Sequence, residues 1–297
     1  MRSFWLHFIL IADMHLLHLP AVLRITTAVA VTGVTALTTS LPAHADATLD
    51  KIQQRGKVII GVLVNGGPFG SIDPATQQFV GWNPELARAL AQGLGVEAEL
   101  VQVQTPTRVQ FLQSGKVDLL IASMELTPER ADILGYAPTP FYRVGGAAAV
   151  HKNSAIQSWE DLRGQPVCLS QGSSYAKPLA SDYGARVQGY KSASESLLAL
   201  RGGNCVAAVH DSTLIYPLLK NNPEWSDYAA PIAQEVLPSL SVVWTRKGEA
   251  DTIAAVERVV QDWHRNGWLI DTEKRLDITP ANPLLPQLQA QLKNKPF

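Results

Sequence analysis

The segment QSGKVDLLIASMELTPER, residues 113–130, carries a short apolar run between two polar stretches. The run at residues 118–123 has the length of a buried β-strand, and residues 107–114 before it form a predicted helix. Strands that alternate with helices along a chain are typical of α/β folds. This segment therefore predicts an α/β protein.

The same alternation continues on both sides of this segment. Further strands are predicted at residues 57–64, 96–103, 166–170, 186–190, 204–210 and 241–246. Further helices are predicted at residues 84–94, 158–162, 194–201, 212–220 and 253–267, with one more after Ser174. Two α/β units with a late return strand predict two lobes that face each other across a cleft, which is a common place for a small ligand.

The helix at residues 84–94 has recognisable signals at both ends. Asn83 is predicted to be its N-cap, because asparagine is favoured there and Pro84 suits the first helical position. Gly95 is predicted to end the helix.

The composition is that of an ordinary globular protein, since 46% of the 297 residues are apolar and 17% are charged. These proportions exclude a disordered, collagen-like or coiled-coil chain. With 25 basic and 26 acidic residues, the formal net charge is -1. A charge so close to zero argues against nucleic acid as a partner.

The sequence lacks the short motifs of common cofactor sites and hydrolases, namely GxGxxG, the GxxxxGK[ST] phosphate loop, HExxH and GxSxG. His151, His210 and His264, which lie outside the N-terminal segment, show no metal-ligand spacing. We therefore expect neither a metal nor a cofactor.

The first 45 residues have the pattern of a secretory signal peptide. Arg24 precedes an uncharged stretch of apolar and small residues at 25–37, and Ala43-His44-Ala45 fits a signal-peptidase site. We expect cleavage after Ala45 and export to the periplasm. A signal of this kind normally starts close to its methionine, so Met14 is a plausible start. An uncleaved membrane anchor is the alternative.

Five segments, in order, resemble the polar amino-acid-binding proteins of bacterial ABC importers, the extracellular solute-binding family 3. They are LDKIQQRGKVIIGV (49–62), VGWNPELARALAQGLG (80–95), QSGKVDLLIASMELTPER (113–130), VHD (209–211) and RKG (246–248). Each segment alone is weak evidence, but five in the expected order are strong evidence.

The resemblance implies the type II periplasmic-binding-protein fold, with two α/β lobes, a ligand cleft and a two-strand hinge. The first lobe would contain residues 46–142 and 240–297, and the second residues 143–239. Hinge strands are expected near residues 141–145 and 237–241.

The resemblance also assigns ligand-binding residues. Arg130 matches an arginine that grips the α-carboxylate, and Asp211 matches an acid that pairs with the α-ammonium. Ser173 and Ser174 match a loop that completes the carboxylate grip, and Trp82 matches an aromatic residue that packs on the ligand. The alternatives are a surface arginine, a helix N-cap for the aspartate, capping serines and a core tryptophan.

Other positions near the expected site agree with the family pattern only in part. Ser123 matches a polar or glycine position that meets the ligand amine, but Glu125 stands where many relatives carry Ser or Thr. This glutamate has three possible partners: Arg130, the ligand ammonium or a cationic ligand side chain. Near Gly66 the aromatic residue of lysine- and glutamine-type relatives is missing. Asn65 beside it is a candidate ligand-binding residue, and Tyr175 is a candidate to supply an aromatic from the other lobe.

Cys168 and Cys205 are predicted in two strands of the second lobe, and some general amino-acid binders of this family carry cysteines at matching places. Neighbouring strands lie about 5 Å apart, which is close to the Cα separation in a disulfide. We expect a disulfide between them. Two buried free thiols are the alternative.

The function that the resemblance implies is capture of a polar amino acid by lobe closure and its delivery to an ABC permease of the inner membrane, by a protein that acts as a monomer. One alternative is a periplasmic enzyme of the cyclohexadienyl or arogenate dehydratase type, with Glu125 as a general acid of raised pKa. Another is a binder of an opine or a small amine.

Overall fold

The structure, a computed structural model, describes residues 46–294. The predicted signal peptide, its cleavage after Ala45 and the start at Met14 lie outside the described residues. In the described part of the chain, no helix is both long enough and apolar enough to cross a bilayer.

Within residues 46–294 the strands are numbered in chain order. They are β1 (Lys57–Leu63), β2 (Ser71–Ile72), β3 (Phe79–Val80), β4 (Glu97–Val103), β5 (Leu119–Ile121), β6 (Leu134–Tyr136), β7 (Tyr142–His151), β8 (Pro166–Ser170), β9 (Arg186–Tyr190), β10 (Ala207–Asp211), β11 (Tyr228–Ala229), β12 (Val236–Ser241) and β13 (Trp244–Arg246).

The helices of the same residues are numbered likewise. They are α1 (Ala47–Arg55), α2 (Trp82–Gly93), α3 (Arg108–Gln113), α4 (Pro128–Ile133), α5 (Ala176–Ser181), α6 (Ala193–Arg201), α7 (Ser212–Asn221), α8 (Ala250–Arg265), α9 (Trp268–Arg275) and α10 (Leu284–Leu292). Glu160–Leu162 and Pro223–Trp225 are short 3₁₀ helices.

The first lobe is built on a sheet with the strand order β4-β1-β5-β13-β6. β1 is parallel to β4 and β5, and β13 returns antiparallel between β5 and β6. On one face of β1, Val58, Ile60 and Val62 belong to a core that includes Leu86 of α2 and Val256 of α8. A second core, which includes residues of α3 and β5, covers the other face. β1 is therefore buried on both faces, as its apolar sequence predicts.

The second lobe is built on a sheet with the order β11-β7-β10-β8-β9, and β12 also pairs with β7. β8 lies parallel to both β9 and β10, whereas β7 is antiparallel to β10, β11 and β12. Separate cores cover the two faces of this sheet. The α/β architecture and the two lobes predicted from the sequence are confirmed.

The two sheets are connected through the antiparallel pair β7 and β12, in which Tyr142 lies opposite Ser241. A bulge interrupts the pairing between Val236 and Ser239, and Leu237 within it has a φ of 46°. This left-handed conformation is uncommon for a residue other than glycine, so the backbone is strained there. The pair coincides with the segments predicted as hinge strands, and the hinge motion stays a prediction.

Two local predictions were wrong. Helix α2 is capped by Gly81, not Asn83, because the carbonyls of Pro68 and Phe69 accept from the first backbone amides of the helix. The apolar run at residues 241–246 is not one strand. It crosses from β12 in the second sheet to β13 in the first, and a periodic pattern cannot show that a run serves two sheets.

The C-terminal segment, residues 277–294, packs on the first lobe. Leu285 of α10 is fully buried in the core that also contains Ile278. The side chain of Asn282 donates to the carbonyl of Arg143 at 2.7 Å. This segment therefore contacts the beginning of β7.

Candidate ligand-binding site

A cavity lies between the lobes and encloses about 550 Å³ of empty space, its open mouth included. Its wall is formed where parallel strands end, which is the usual position of a ligand in an open α/β sheet. The first lobe contributes Asn65 after β1, Thr105 after β4, and Ser123 and Glu125 after β5. The second lobe contributes Ser170 and Ser173 at the end of β8, and His210 and Asp211 at the end of β10.

Glu125 and Arg130 form an ion pair at the first-lobe side of the cavity. Nη1 of Arg130 donates to the Glu125 carboxylate at 2.7 Å and to the Glu125 carbonyl at 2.8 Å, and Nη2 donates to the Gly172 carbonyl of the second lobe at 3.2 Å. Burial alone would raise the pKa of Glu125, but the charges of Arg130 and Arg108 outweigh it and hold the pKa below its ordinary value. Glu125 is therefore ionised, and its charge is balanced inside the protein.

Arg108, the first residue of α3, is the second arginine at this side of the cavity, and its side chain is almost completely buried. Nη1 donates to the carbonyl of Ala122 at 2.8 Å, and Nη2 lies 4.0 Å from the Glu125 carboxylate. Burial, followed by repulsion from Arg130, lowers the pKa of Arg108 to about 10. The guanidinium remains protonated at neutral pH, but its positive charge is only partly balanced.

Asp211 and Tyr175 form the second-lobe side of the cavity. The hydroxyl of Tyr175 donates to the Asp211 carboxylate at 2.7 Å. Burial, reinforced by the negative charge of Glu125, raises the pKa of Asp211 to about 7, against the opposing effects of the Tyr175 hydrogen bond and the two arginines. Burial and the nearby Asp211 also raise the pKa of Tyr175, so the tyrosine stays neutral. Asp211 therefore has a neutral hydrogen-bond partner and an incompletely balanced charge.

The cavity thus combines a matched ion pair with two partly balanced charges of opposite sign. Glu125 and Arg130 satisfy each other, whereas Arg108 is short of an anion and Asp211 is short of a cation. A charge removed from water is costly unless it is paired. A ligand that brings one cationic and one anionic group into this cavity would balance both residues.

Neutral polar groups complete the first-lobe wall. The side-chain amide of Asn83 donates to Oγ of Ser123 at 3.1 Å, and both side chains are buried. Ser123 has a φ of 44°, in the left-handed region that a serine rarely occupies. Strain of this kind concentrates at functional sites. This wall offers hydrogen bonds without adding a charge.

The described residues, 46–294, include acidic side chains and a histidine at the cavity wall. No group of three or more His, Cys, Asp or Glu side chains in this part of the chain is arranged to hold a metal ion.

The sequence profile of the bacterial extracellular solute-binding proteins, family 3, matches residues 58–275, which are most of the chain. The chain belongs to this family. The matched region includes both sheets and every residue of the cavity wall named above.

Individual proteins are similar to this chain over much of its length. A glutamine-binding protein of Geobacillus stearothermophilus is 31% identical over 185 residues, which are 60% of this chain and 70% of that protein. An ABC transporter glutamine-binding protein of Bacillus subtilis strain 168 is 27% identical over 193 residues, 63% of this chain and 70% of that protein. The crystal structure of a cysteine-binding protein from Campylobacter jejuni matches with a TM-score of 0.72 at 27% identity, covering 77% of this chain and 92% of that chain.

Most of the ligand-binding residues expected from the sequence lie together at the cavity. The wall includes six of them: Asn65, Ser123, Glu125, Ser173, Tyr175 and Asp211. Their roles toward a ligand stay predictions. Of the three roles left open for Glu125, the structure shows the first, a pair with Arg130.

Three of the expected residues do not line the cavity. Trp82 is fully buried in the first-lobe core, where its ring lies 5.1 Å from that of Tyr142 and 6.0 Å from that of Phe69. Arg130 is paired with Glu125 and does not belong to the wall, and Ser174 is outside the wall although its neighbour Ser173 belongs to it. The family pattern places these three side chains near the cavity but does not show which of them reach its surface.

Sequence reasoning missed Arg108, Asn83, Thr105 and His210, which all line the cavity. Their position in the sequence was the signal that could have identified three of them. Thr105 and Arg108 follow the predicted strand 96–103 and His210 ends another predicted strand, and ligands commonly bind where such strands end. His210 bonds to Oγ of Ser196 at 2.9 Å, and burial lowers its pKa to about 4, so it is neutral at pH 7.

The predicted disulfide between Cys168 and Cys205 is present, with the two Cα atoms 5.8 Å apart. It connects β8 with the segment that leads into β10. Both strands end at the cavity, so the bridge fixes the framework that presents Ser170 and Asp211.

Proposed function

We propose that this protein is the substrate-binding component of an ABC importer for a polar amino acid. The observation that carries the proposal is the pair of partly balanced charges, Arg108 and Asp211, at one cavity. A free amino acid is a zwitterion, so its ammonium suits Asp211 and its carboxylate suits the arginine side of the cavity. Membership of family 3 supports the same function.

The named relatives support both the class of ligand and the transport partner. They are described as glutamine-binding and cysteine-binding proteins, and one is described as belonging to an ABC transporter. Glutamine and cysteine are polar amino acids without a charged side chain. We infer a ligand of this general kind and a membrane permease as the partner.

Capture by lobe closure is supported by contacts that already cross the cleft. Arg130 of the first lobe donates to the Gly172 carbonyl of the second, and Nζ of Lys177 lies 2.8 Å from the Glu129 carboxylate. A ligand that touches both lobes stabilises whichever conformation brings them together. We propose that the ligand selects this closed state by bridging the first lobe and Asp211.

We propose that the protein binds its ligand without catalysing a reaction. In the dehydratase alternative Glu125 acts as a general acid, which requires a carboxyl that keeps its proton near neutral pH. The two arginines instead hold the pKa of Glu125 below its ordinary value. The pair with Arg130 thus suits a fixed negative charge better than a proton donor.

Export is part of the proposal. Family 3 consists of extracellular solute-binding proteins. The signal-peptide pattern at residues 1–45 and the disulfide in the second lobe, a bond favoured in oxidising compartments, support a periplasmic location.

Calorimetric titration of the purified protein with the twenty amino acids tests the function. The protein is first unfolded and refolded, which removes ligand carried through purification. We expect one or a few polar amino acids to bind in a one-to-one complex at micromolar affinity or tighter, about −8 kcal/mol or better. If no amino acid binds, turnover of prephenate and arogenate is the next assay, and activity there would replace the proposal.

A further inference from the structure

We infer that Arg108, and not Arg130, supplies the cation that binds the carboxylate of the ligand, and that Glu125 retains Arg130 as a clamp between the lobes. The inference rests on the proposed function, because it assigns one contact within an amino-acid site. It differs from the family pattern, in which the arginine at the position of Arg130 grips the carboxylate.

The charge of Arg130 is already balanced within the protein. Its Nη1 is hydrogen-bonded to the Glu125 carboxylate and to the Glu125 carbonyl, and its Nη2 is bonded to the carbonyl of Gly172. These contacts use three of its five N–H donors, and a ligand carboxylate at the other two would share the guanidinium with the Glu125 carboxylate, which repels it. Displacing Glu125 instead would leave that carboxylate buried without its partner.

Arg108 has the opposite set of contacts. It lines the cavity, whereas Arg130 does not. Its nearest anionic atom is the Glu125 carboxylate oxygen at 4.0 Å, the same oxygen that accepts from Arg130 at 2.7 Å. The remaining hydrogen bond of Arg108 is to a neutral carbonyl, that of Ala122. A buried guanidinium with such incomplete pairing is the group that gains most from an incoming carboxylate.

Glu125 is the residue that gives Arg108 and Arg130 different roles. A Ser or Thr at this position would have no charge with which to pair with an arginine. In this chain the Glu125 carboxylate forms an ion pair with the guanidinium of Arg130, whereas Arg108 lines the cavity. The identity of residue 125 therefore determines which arginine is available to the ligand.

The test compares each of the twenty amino acids with its α-carboxamide, which keeps the ammonium but lacks the carboxylate. Titrations at pH 6.5 keep the amine of the amide protonated. For the wild-type protein we expect the amide to bind roughly tenfold to hundredfold more weakly than the acid. In Arg108→Met this ratio should fall to about 1, because only the acid loses a contact.

Arg130→Met is the matched control. It is made together with Glu125→Gln, because a Glu125 freed from Arg130 would pair with Arg108. The double change removes a balanced ion pair that does not contact the ligand, so acid and amide should weaken by the same factor and their ratio should persist. In Arg108→Lys, which keeps the charge but not the guanidinium fork, the ratio should be intermediate. This second variant keeps the test decisive if Arg108→Met does not fold.

Glu125→Ser, made in the Arg108→Met background, provides a rescue that a purely structural role would not produce. Freed from Glu125, Arg130 should become available and restore discrimination between acid and amide. A ratio that collapses in the control, Arg130→Met with Glu125→Gln, but persists in Arg108→Met would overturn the assignment, as would a wild-type protein that binds the amide as tightly as the acid. Failure of every amino acid to bind would overturn the proposed function, and this inference with it.

Discussion

Two acidic residues on opposite sides of the cavity differ in how their charge is balanced. In the first lobe, Glu125 is held by Arg130 at 2.7 Å and lies 4.0 Å from Arg108. In the second lobe, Asp211 accepts a hydrogen bond from a tyrosine, which carries no charge. The pKa is accordingly lowered for Glu125 and raised for Asp211, to about 7.

The difference teaches which acid stabilises the fold and which serves a ligand. An ion pair that is complete within the protein gains little from a ligand, but it is costly to disrupt. A carboxylate with a neutral partner costs free energy in the empty protein, and that cost is recovered when a ligand ammonium arrives. Under the proposed function, we therefore expect Glu125 to stabilise the fold and Asp211 to bind the ligand.

The largest expected effect is on stability. Replacing Glu125 by Gln leaves Arg108 and Arg130 near each other without a counter-charge, so the free energy of unfolding should fall by about 3 kcal/mol. Urea denaturation of the ligand-free protein at pH 7.5 measures this change.

Asp211→Asn is the matched control, because it makes the same acid-to-amide change on the other side of the cavity. It removes a poorly balanced charge and keeps an oxygen for the Tyr175 hydroxyl, so stability at pH 7.5 should be unchanged or higher. Equal losses in the two variants would show that the two acids do not differ as described.

The same Asp211→Asn variant should have the largest effect on ligand affinity among changes that preserve the fold. Loss of a charged partner for the ammonium weakens a hydrogen bond by about 1.5 to 3 kcal/mol, which is at least tenfold in affinity. Titration with the amino acid that binds best to the wild-type protein measures it. Unchanged binding would remove the ammonium role from Asp211.

Affinity should also depend on pH. Below about pH 7, Asp211 holds a proton that the ligand ammonium must displace. Affinity is therefore expected to rise roughly tenfold per pH unit between pH 5 and pH 7 and to level off above pH 7. Calorimetry in two buffers of different ionisation enthalpy at pH 6 should detect the release of about one proton.

The stability of the empty protein should show the same titration with the opposite sign. The folded pKa of Asp211 lies above its ordinary value of 3.8, so this carboxyl favours the folded state at low pH. That contribution is present below about pH 4 and is lost as the pH rises to about 7. In Asp211→Asn both pH dependences should disappear, and their persistence would assign them to another group.

The smallest expected effect concerns the exposed pair Lys177 and Glu129, which also crosses the cleft. Exposed ion pairs are screened by solvent and contribute little. Glu129→Gln should therefore change ligand affinity by less than about twofold. A larger change would show that closure depends on surface charge as much as on the ligand.

Much of the fold could be predicted from the sequence because its signals are local. The strand predicted at residues 186–190 has the bounds observed for β9, and the apolar run at residues 57–64 forms a strand buried on both faces. The prediction of a single strand at residues 241–246 was wrong, because the apolar residues extend across the point where the chain passes from one sheet to the other.

The site could be predicted only in part, because the spacing of residues in the sequence does not show where their side chains point. The family pattern identified Asp211 and Glu125, which do line the cavity. It could not show that Trp82 packs into the core or that the Glu125 carboxylate occupies Arg130. Arg108 belongs to no motif, and it reaches the cavity wall because α3, which begins with it, packs against β1 and β5.

The most direct test of a site built from two opposite, partly balanced charges is one titration series on the wild-type protein. It compares the amino acid that binds best with its α-carboxamide, which lacks the anion, and with its des-amino analogue, which lacks the cation. We predict that both analogues bind at least about tenfold more weakly than the amino acid, because each leaves Arg108 or Asp211 without a partner. An analogue that binds as tightly as the parent amino acid would show that the charge it lacks is not recognised, and that recognition of a zwitterion is not what this cavity does.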